Sequence, residues 1–276
     1  MISNLQTIIK NSLQEDMPYG DITTQLIVSK KQNAKACIVS KAKGILCGIH
    51  VAKLVLSQID KKLKIYTKLK DGSRIKKNQI ILKIAGKKKS ILKAERTVLN
   101  FLGLMTGIAT KTHHLSSKIK KFKTKVCCTR KTIPNLRNIQ KYAVIIGGGV
   151  NNRMNLSEEI FIKDNHLAGE DISSLIKTVI KKNKSKKIIT VEVDNLKQLN
   201  LVKKLKINRV LFDNMKPSNI KKAIKLLPKN IQTEASGNIN EQNITQYAKS
   251  GVHRISMGAL THTISNFDFS LELNNN

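Results

Sequence analysis

Apolar positions recur along this chain in two rhythms, and the change falls near residue 124. Residues 3–15 space theirs at helical intervals, and GDITTQL (20–26) follows with Asp21 or Thr23 placed to cap a further turn. AKACIVSK (34–41), KIYTKLK (64–70) and QIILKIAG (79–86) alternate with a period of two, as half-buried strands do. DGSRIKKNQ (71–79) is a turn-rich link between the last two. From Ser90 to about Lys120 the period is helical again, with Leu92, Val98, Leu99, Leu102 and Met105 as core positions. Gly103 and Gly107 would allow a close helix crossing there, or a break. The first part of the chain is therefore expected to be a mixed α and β layer around a small antiparallel sheet.

Beyond residue 124 short apolar runs alternate with helical stretches. KVCCT (125–129), EIFIK (159–163), IITVEV (188–193), RVLFD (209–213), IQTEA (231–235) and RISMGA (254–259) are the expected strands. ISSLIKTVIKK (172–182), NLKQLNLVKKL (195–205) and PSNIKKAIKLL (217–227) are expected helices, with Pro217 suited to a first turn. Repeated β-α units predict a parallel sheet, open or closed, and about six strands are too few for an eight-stranded barrel.

Each run ends in chemistry-bearing residues. Arg130 and Lys131 follow the first; Lys163, Asp164, Asn165 and His166 follow the second. Glu192 and Asp194 end the third, Asp213 and Asn214 the fourth, Glu234, Ser236 and Gly237 the fifth, and Gly258 the sixth. Parallel barrels carry their active sites at these ends. One rim would thus gather basic groups, acidic groups and glycine turns, which suits an anionic substrate with ribose or metal contacts. Periodicity does not name the reaction.

Composition changes this picture little. The formal net charge of +33 raises nucleic-acid binding as a reading, but only seven basic residues are Arg and the Lys residues are spread along the whole chain. Runs such as KKNKSKK (181–187) fall where solvated faces and loops belong, so specific nucleic-acid binding is not expected. No apolar run is long enough to span a membrane, and the N-terminus lacks the pattern of a signal peptide. Cys37, Cys47, Cys127 and Cys128 form no CxxC pair, which suits a reduced, cytoplasmic protein. Glycines 147–149 lack GxGxxG spacing and read as a helix end, while His50, His113, His114, His253 and His262 show no metal-ligand spacing.

Longer stretches carry a resemblance. TRKTIPNLRNIQKYAVIIGGGVNNRMNLSEEIFIKDNH (129–166) resembles the central block of quinolinate phosphoribosyltransferases, and ERTVLNFLGLMTGIAT (95–110) resembles the helix before it. GDITT (20–24), VEVD (191–194), LFDNM (211–215), EASGN (234–238) and GVHRISMGALTH (251–262) are similar to further blocks, in order, from about residue 15 to residue 271. The resemblance implies an α/β fold: an N-terminal α/β sandwich (1–112), an incomplete, about six-stranded α/β barrel (113–264), and a tail (265–276) packing back on the first domain. It implies transfer of phosphoribosyl from phosphoribosyl pyrophosphate to quinolinate with loss of CO2. It also implies a homodimer in which Arg96 completes the partner's site. Arg130, Lys131, Arg153 and Lys163 would surround quinolinate and the phosphates. Glu192 and Asp213 would handle the ribose and Mg2+, the metal being held largely through the substrate. Ser236, Gly237 and Gly258 would hold the 5′-phosphate. Lys131, Glu192 and Asp213 are the expected catalytic residues.

Several positions depart from the family pattern. Asn152 stands where His is usual, Asn135, Asn155 and Asn238 where Gly is usual, and His253 where an acidic residue is usual. A related transferase acting on another ring acid, or a partly decayed enzyme of the same fold, stays open on the sequence.

Overall fold

The computed structural model describes residues 4–166 and 171–274; Ser3 of the expected first helix and the last two residues of the tail lie outside them. The chain divides into two compact units: residues 1–113 with 132–148 and 261–276, and residues 114–131 with 149–260.

In the first unit α1 (Leu5–Asp16) and α2 (Ile22–Ile27) lead into β1 (Asn33–Ser40), β2 (Gly44–Ile45), α3 (Ile49–Ile59), β3 (Lys64–Tyr66), β4 (Arg74–Ile75) and β5 (Ile80–Lys87). Asp21 caps α2, its carboxylate accepting from Thr24 N at 2.9 Å. β5 runs into α4 (Lys88–Lys118), whose last turn belongs to the second unit. The strand expected over 64–70 stops at Tyr66 rather than Lys70. Thr67 Oγ1 donates to Ile81 O and accepts from Leu69 N, so a side chain replaces the ladder and bends the chain away. The link 71–79 contains the short strand β4. Asp71, which opens that link, caps α3, because its carboxylate accepts from Gly48 N and Ile49 N. That helix was hidden in the sequence because IHVAKLVLSQI is rich in residues that also suit strands.

Leu92 is only half-buried, because the inner stripe of α4 runs through Ile91, Ala94, Val98, Leu102 and Met105. Neither Gly103 nor Gly107 breaks the helix. Instead the C-terminal segment crosses it there: a Cβ at Gly107 would stand 2.2 Å from Ser265 O, and one at Gly103 2.8 Å from Phe267 O. The segment then forms β12 (Phe269–Asn274), which pairs antiparallel with β1 and completes the sheet order β12-β1-β5-β3. α5 (Arg137–Ile146), which the sequence implied only through its end, stops at Gly147 and Gly148, so the glycine run is a helix end.

The second unit is the parallel sheet. Its strands are β6 (Lys125–Cys127), β7 (Ile160–Ile162), β8 (Ile189–Val193), β9 (Arg209–Asp213), β10 (Gln232–Ser236) and β11 (Arg254–Ser256), in the order β6-β11-β10-β9-β8-β7. All six are where the apolar runs predicted them. α6 (Ile172–Lys182), α7 (Leu196–Val202), α8 (Pro217–Leu226) and α9 (Ile244–Lys249) connect them, and consecutive helices of this set pack side by side. Asp171 and Asn195 cap α6 and α7 with their side chains. After α5 the chain returns to the sheet at Val150, which makes a single parallel bridge to Cys127 on the free edge of β6. Among the described residues β6 and β7 do not pair, so the barrel is incomplete.

Candidate active site

Because strand side chains alternate, Arg209, Leu211 and Asp213 share one face of β9, and Gln232, Glu234 and Ser236 share the matching face of β10. The register extends this face to Thr190 and Glu192 on β8, to Phe161 on β7 and to Arg254 and Ser256 on β11. The opposite face, with Val210, Phe212, Thr233 and Ala235, is fully or almost fully buried.

The polar face has two levels. At the lower one Arg209 Nη1 meets Glu159 Oε1 at 2.5 Å and Thr190 Oγ1 donates to the same oxygen at 2.9 Å. Arg209 Nε stands 3.9 Å from Glu234 Oε2. Glu234 is fully buried; its Oε1 accepts from Ser256 Oγ and from Asn152 Nδ2, the latter at 3.0 Å. Burial pushes the Glu234 carboxyl up, while Ser256, Arg209 and Arg254 pull it back. Expected at a strand end, Glu234 instead lies inside β10, because the strand continues to Ser236.

The upper level is the rim. Lys163 follows β7 directly, and its ammonium is 3.2 Å from Glu192 on β8. Arg153 and Lys163 both lie over the Phe161 ring, at 4.8 and 5.1 Å from its centroid. Arg153 Nη1 donates to Glu159 O at 2.9 Å. Burial, together with the charge of Arg130, holds the Arg153 guanidinium below its usual range, and Glu159 partly offsets this. The Glu192 carboxyl is pushed up, first by burial, with Asp213 and Asp164 adding to the shift and Lys163 opposing it. Like charges are therefore drawn together twice on this rim: Arg130 with Arg153, and Glu192 with Asp213. Such pairs favour a ligand that carries several negative charges and a cation.

The turns beyond β9 and β10 are knitted together. Asn214 N donates to Ser236 O at 2.9 Å, Asn214 Nδ2 to Asp213 Oδ2 at 2.7 Å, and Asn238 Nδ2 to Asn214 Oδ1 at 3.1 Å. Gly237 has φ +93°, and a Cβ there would stand 2.1 Å from Asn214 Oδ1, so the turn needs glycine. Asn238 and Asn135 take the left-handed conformation that glycine would, at φ 51° and 64°. Asn155 does not; its side chain accepts from Ser157 N at 2.8 Å and closes a local turn. Gly258 opens a 3-10 turn after β11, and Lys131 is exposed after β6.

The rim residues expected from the sequence, Arg130, Lys131, Arg153, Lys163, Glu192, Asp213, Ser236, Gly237 and Gly258, all belong to the second unit. Arg96 belongs to the first, at an exposed position of α4. Phe161 was overlooked: it looks like an ordinary strand residue, and only its place two residues before Lys163 could have hinted at its role. The histidines serve local structure or lie at the surface. His253 Nδ1 accepts from Thr233 N at 3.1 Å, and His114 joins Lys118 on exposed Glu241, each at 2.7 Å. The four cysteines are buried thiols outside any disulfide.

An α/β protein with a strand-end rim of paired guanidinium, ammonium and carboxylate groups belongs among those that handle small polyanions. Comparison narrows the class. Residues 21–106 match the family described as quinolinate phosphoribosyl transferase, N-terminal domain, and residues 108–272 match its C-terminal domain. The chain belongs to the quinolinate phosphoribosyltransferase family. It is 39% identical over 275 residues to the probable nicotinate-nucleotide pyrophosphorylase [carboxylating] of Methanocaldococcus jannaschii, covering 96% of each chain. It is 35% identical over 272 residues to the Bacillus subtilis protein of the same name, covering 98% of this chain and 93% of that one. The solved nicotinate-nucleotide pyrophosphorylase from Francisella tularensis superposes with a TM-score of 0.94 at 38% identity, over 99% of this chain and 97% of that one.

Proposed function

We propose that this chain is a decarboxylating quinolinate phosphoribosyltransferase: quinolinate and phosphoribosyl pyrophosphate give nicotinate mononucleotide, CO2 and pyrophosphate, a step of NAD biosynthesis. The observation that carries the reading is the rim itself, where Arg130, Arg153 and Lys163 gather beside Glu192 and Asp213 in a chain that matches the family over residues 21–106 and 108–272.

The chemistry accounts for these residue types. Quinolinate brings two carboxylates, which guanidinium forks bind with fixed geometry. Arg130, Lys131, Arg153 and Lys163 hold this ring acid and the phosphates. The pyridine nitrogen attacks the anomeric carbon of the ribose as the bond to pyrophosphate breaks. The ribose passes through an oxocarbenium-like state, and Glu192 and Asp213 offset its positive charge. Glycosylation makes the ring nitrogen cationic. The adjacent carboxylate then leaves as CO2, its bonding electrons pass to the ring, and a proton takes its place. No side chain need act as general base; orientation and fixed charge carry the demand.

Mg2+ suits the same two carboxylates. Oxygen ligands fit it, and a divalent cation would relieve the mutual repulsion of Glu192 and Asp213. Among the described residues no group of three or more His, Cys, Asp or Glu side chains could hold a metal, so substrate phosphates would complete its shell. When bound, the ion neutralises charge on the departing pyrophosphate. Purified protein supplied with quinolinate, phosphoribosyl pyrophosphate and Mg2+ should release CO2 and nicotinate mononucleotide in equal amounts. Turnover of nicotinate but not quinolinate would overturn the substrate; no turnover of either would overturn the activity.

The working form is a homodimer whose partner supplies Arg96. Supporting this, Arg96 is exposed, and α2 with Tyr19 three residues ahead of it turns Tyr19, Ile22, Leu26 and Ile27 outward, an apolar surface that a second copy would cover. Mixing Arg96→Ala with Lys131→Ala subunits should restore part of the activity through one intact hybrid site; verified heterodimers that stay inactive would refute the shared site. The protein works in the cytoplasm, without specific nucleic-acid binding. Among the described residues no helix is long and apolar enough to cross a membrane.

A further inference from the structure

Val150 bridges to the outer edge of β6, and β7 starts at Ile160, so residues 151–159 link the two edges of the parallel sheet. This linking segment carries Arg153. It has no regular ladder to fix it, and side chains do that work. Asn152 Oδ1 accepts from Arg153 N at 2.8 Å, and Asn152 Nδ2 donates to Glu234 Oε1 at 3.0 Å. Arg153 Nη1 donates to Glu159 O at 2.9 Å. One amide therefore ties the backbone of Arg153 to a carboxylate inside the sheet.

Glu234 is a firm anchor. It lies on β10, paired on one side with β9 and on the other with β11, and it is fully buried. Ser256 Oγ holds the oxygen that accepts from Asn152, and Arg209 Nε faces the other at 3.9 Å. A buried carboxylate strongly favours whatever donors it can reach, so the Asn152 bond is charge-assisted and directional. Arg209 is fixed in turn by Glu159, the residue whose carbonyl receives Arg153. The two anchors of Arg153 thus converge on one buried cluster.

We infer that Glu234 is a positioning residue for the ring-acid subsite, acting through Asn152 to aim the Arg153 guanidinium. The inference rests on the functional reading above, in which Arg153 is one of four cations around quinolinate and the phosphates, and it assigns Arg153 to a carboxylate of the ring acid. It assigns Asn152 a structural bond inward, toward Glu234, where the family usually places a histidine. It also separates the two substrates, because the segment that Asn152 fixes carries Arg153 and not the Ser236–Gly237 turn.

Three variants test it: Asn152→Ala, Glu234→Gln and the double replacement. Quinolinate and Mg2+-phosphoribosyl pyrophosphate would each be titrated calorimetrically, with thermal unfolding measured alongside. Each single change should weaken quinolinate about 10-fold, as loss of one charge-assisted hydrogen bond does, and the second ligand less than about 2-fold. The double variant should bind quinolinate no more weakly than the poorer single one, because both changes remove the same bond. Additive losses would overturn the inference, as would equal weakening of both ligands. If Glu234→Gln does not fold, Asn152→Ala alone decides, since its segment lies outside the strands: unchanged quinolinate affinity refutes the role, and a selective loss supports it. Parent protein that fails to bind quinolinate would sink the functional reading and the inference together. Parent protein that binds it, with variants that do likewise, would sink the inference alone.

Discussion

Low on the polar face of the parallel sheet, Arg209 meets Glu159 at 2.5 Å and Glu234 at 3.9 Å; at the strand ends above, Arg153 stands beside Arg130, and Glu192 beside Asp213. The lower level is buried and the upper one partly exposed, and they are assembled on different rules. Below, each acid faces a base, and the hydroxyls of Thr190 and Ser256 donate to the carboxylates that remain accessible to them. Above, Lys163 meets Glu192, but like charges are neighbours as well, which costs free energy until something of the opposite charge arrives. The lower level pairs its charges within the chain, although Arg209 Nε and Glu234 Oε2 approach only to 3.9 Å and make no hydrogen bond. The upper one is the level that the proposed substrates would complete, a distinction between structural ion cluster and binding site that the number of charged residues in either does not make.

The largest effect should follow from breaking the lower level. Arg209→Ala leaves Glu159 and Glu234 buried without their cation, and removing one partner of a buried pair typically costs about 3–5 kcal/mol. Chemical denaturation should show a loss of that size. A loss within about 0.5 kcal/mol, the range of ordinary surface changes, would mean that Arg209 is a bystander.

Next comes the upper level. Arg130→Ala should remove about 2–5 kcal/mol of transition-state stabilisation, the range for a desolvated charge contact, and cost much less stability than Arg209→Ala. The paired control replaces exposed Lys184 and Lys186 with Ser, which should leave kcat/KM nearly unchanged. Equal kinetic losses from the two sets would show that the rim is not the site.

The sequence revealed the upper level far better than the lower one, and the reason is physical. A strand buried on both sides reads as an apolar run, and its end shows where polarity returns. Lys163 after EIFI and Asp213 after RVLF were therefore visible as rim residues. Glu159 and Arg209 open those same two runs and look like ordinary flanking charges; only the register that sets β7 beside β8 and β8 beside β9 reveals that they meet. Glu234 gave a misleading signal, because its strand continues two residues further with polar Ser236. Asn152 stood out only by differing from the family's usual histidine, and nothing local in NNRM indicates the carboxylate it reaches on β10. In the first unit, Thr67 ended a strand through its own side chain, a choice that alternating polarity cannot express.

The smallest effect concerns Glu192, and its pH dependence distinguishes the two rules most sharply. Burial and the nearby carboxylates of Asp213 and Asp164 hold this carboxyl above its usual value, and Lys163 does not fully cancel them. A carboxyl raised in the folded state favours folding most when protonated. Its contribution is fully present below the unfolded value, about 4.3, and is lost as pH rises through the higher folded value. At neutral pH the ionised Glu192 is therefore a cost to the fold, whereas Gln carries no such dependence. Glu192→Gln should abolish turnover yet unfold at a higher temperature than the parent near pH 7. The difference should shrink toward zero as pH falls below about 4, where both chains are neutral at this position. Loss of the Lys163 contact opposes the gain only weakly, because that ammonium is 43% exposed. A variant that melts below the parent at neutral pH would show that Glu192 is held as firmly as the lower-level acids, and the contrast between the two levels would fail at its most direct point.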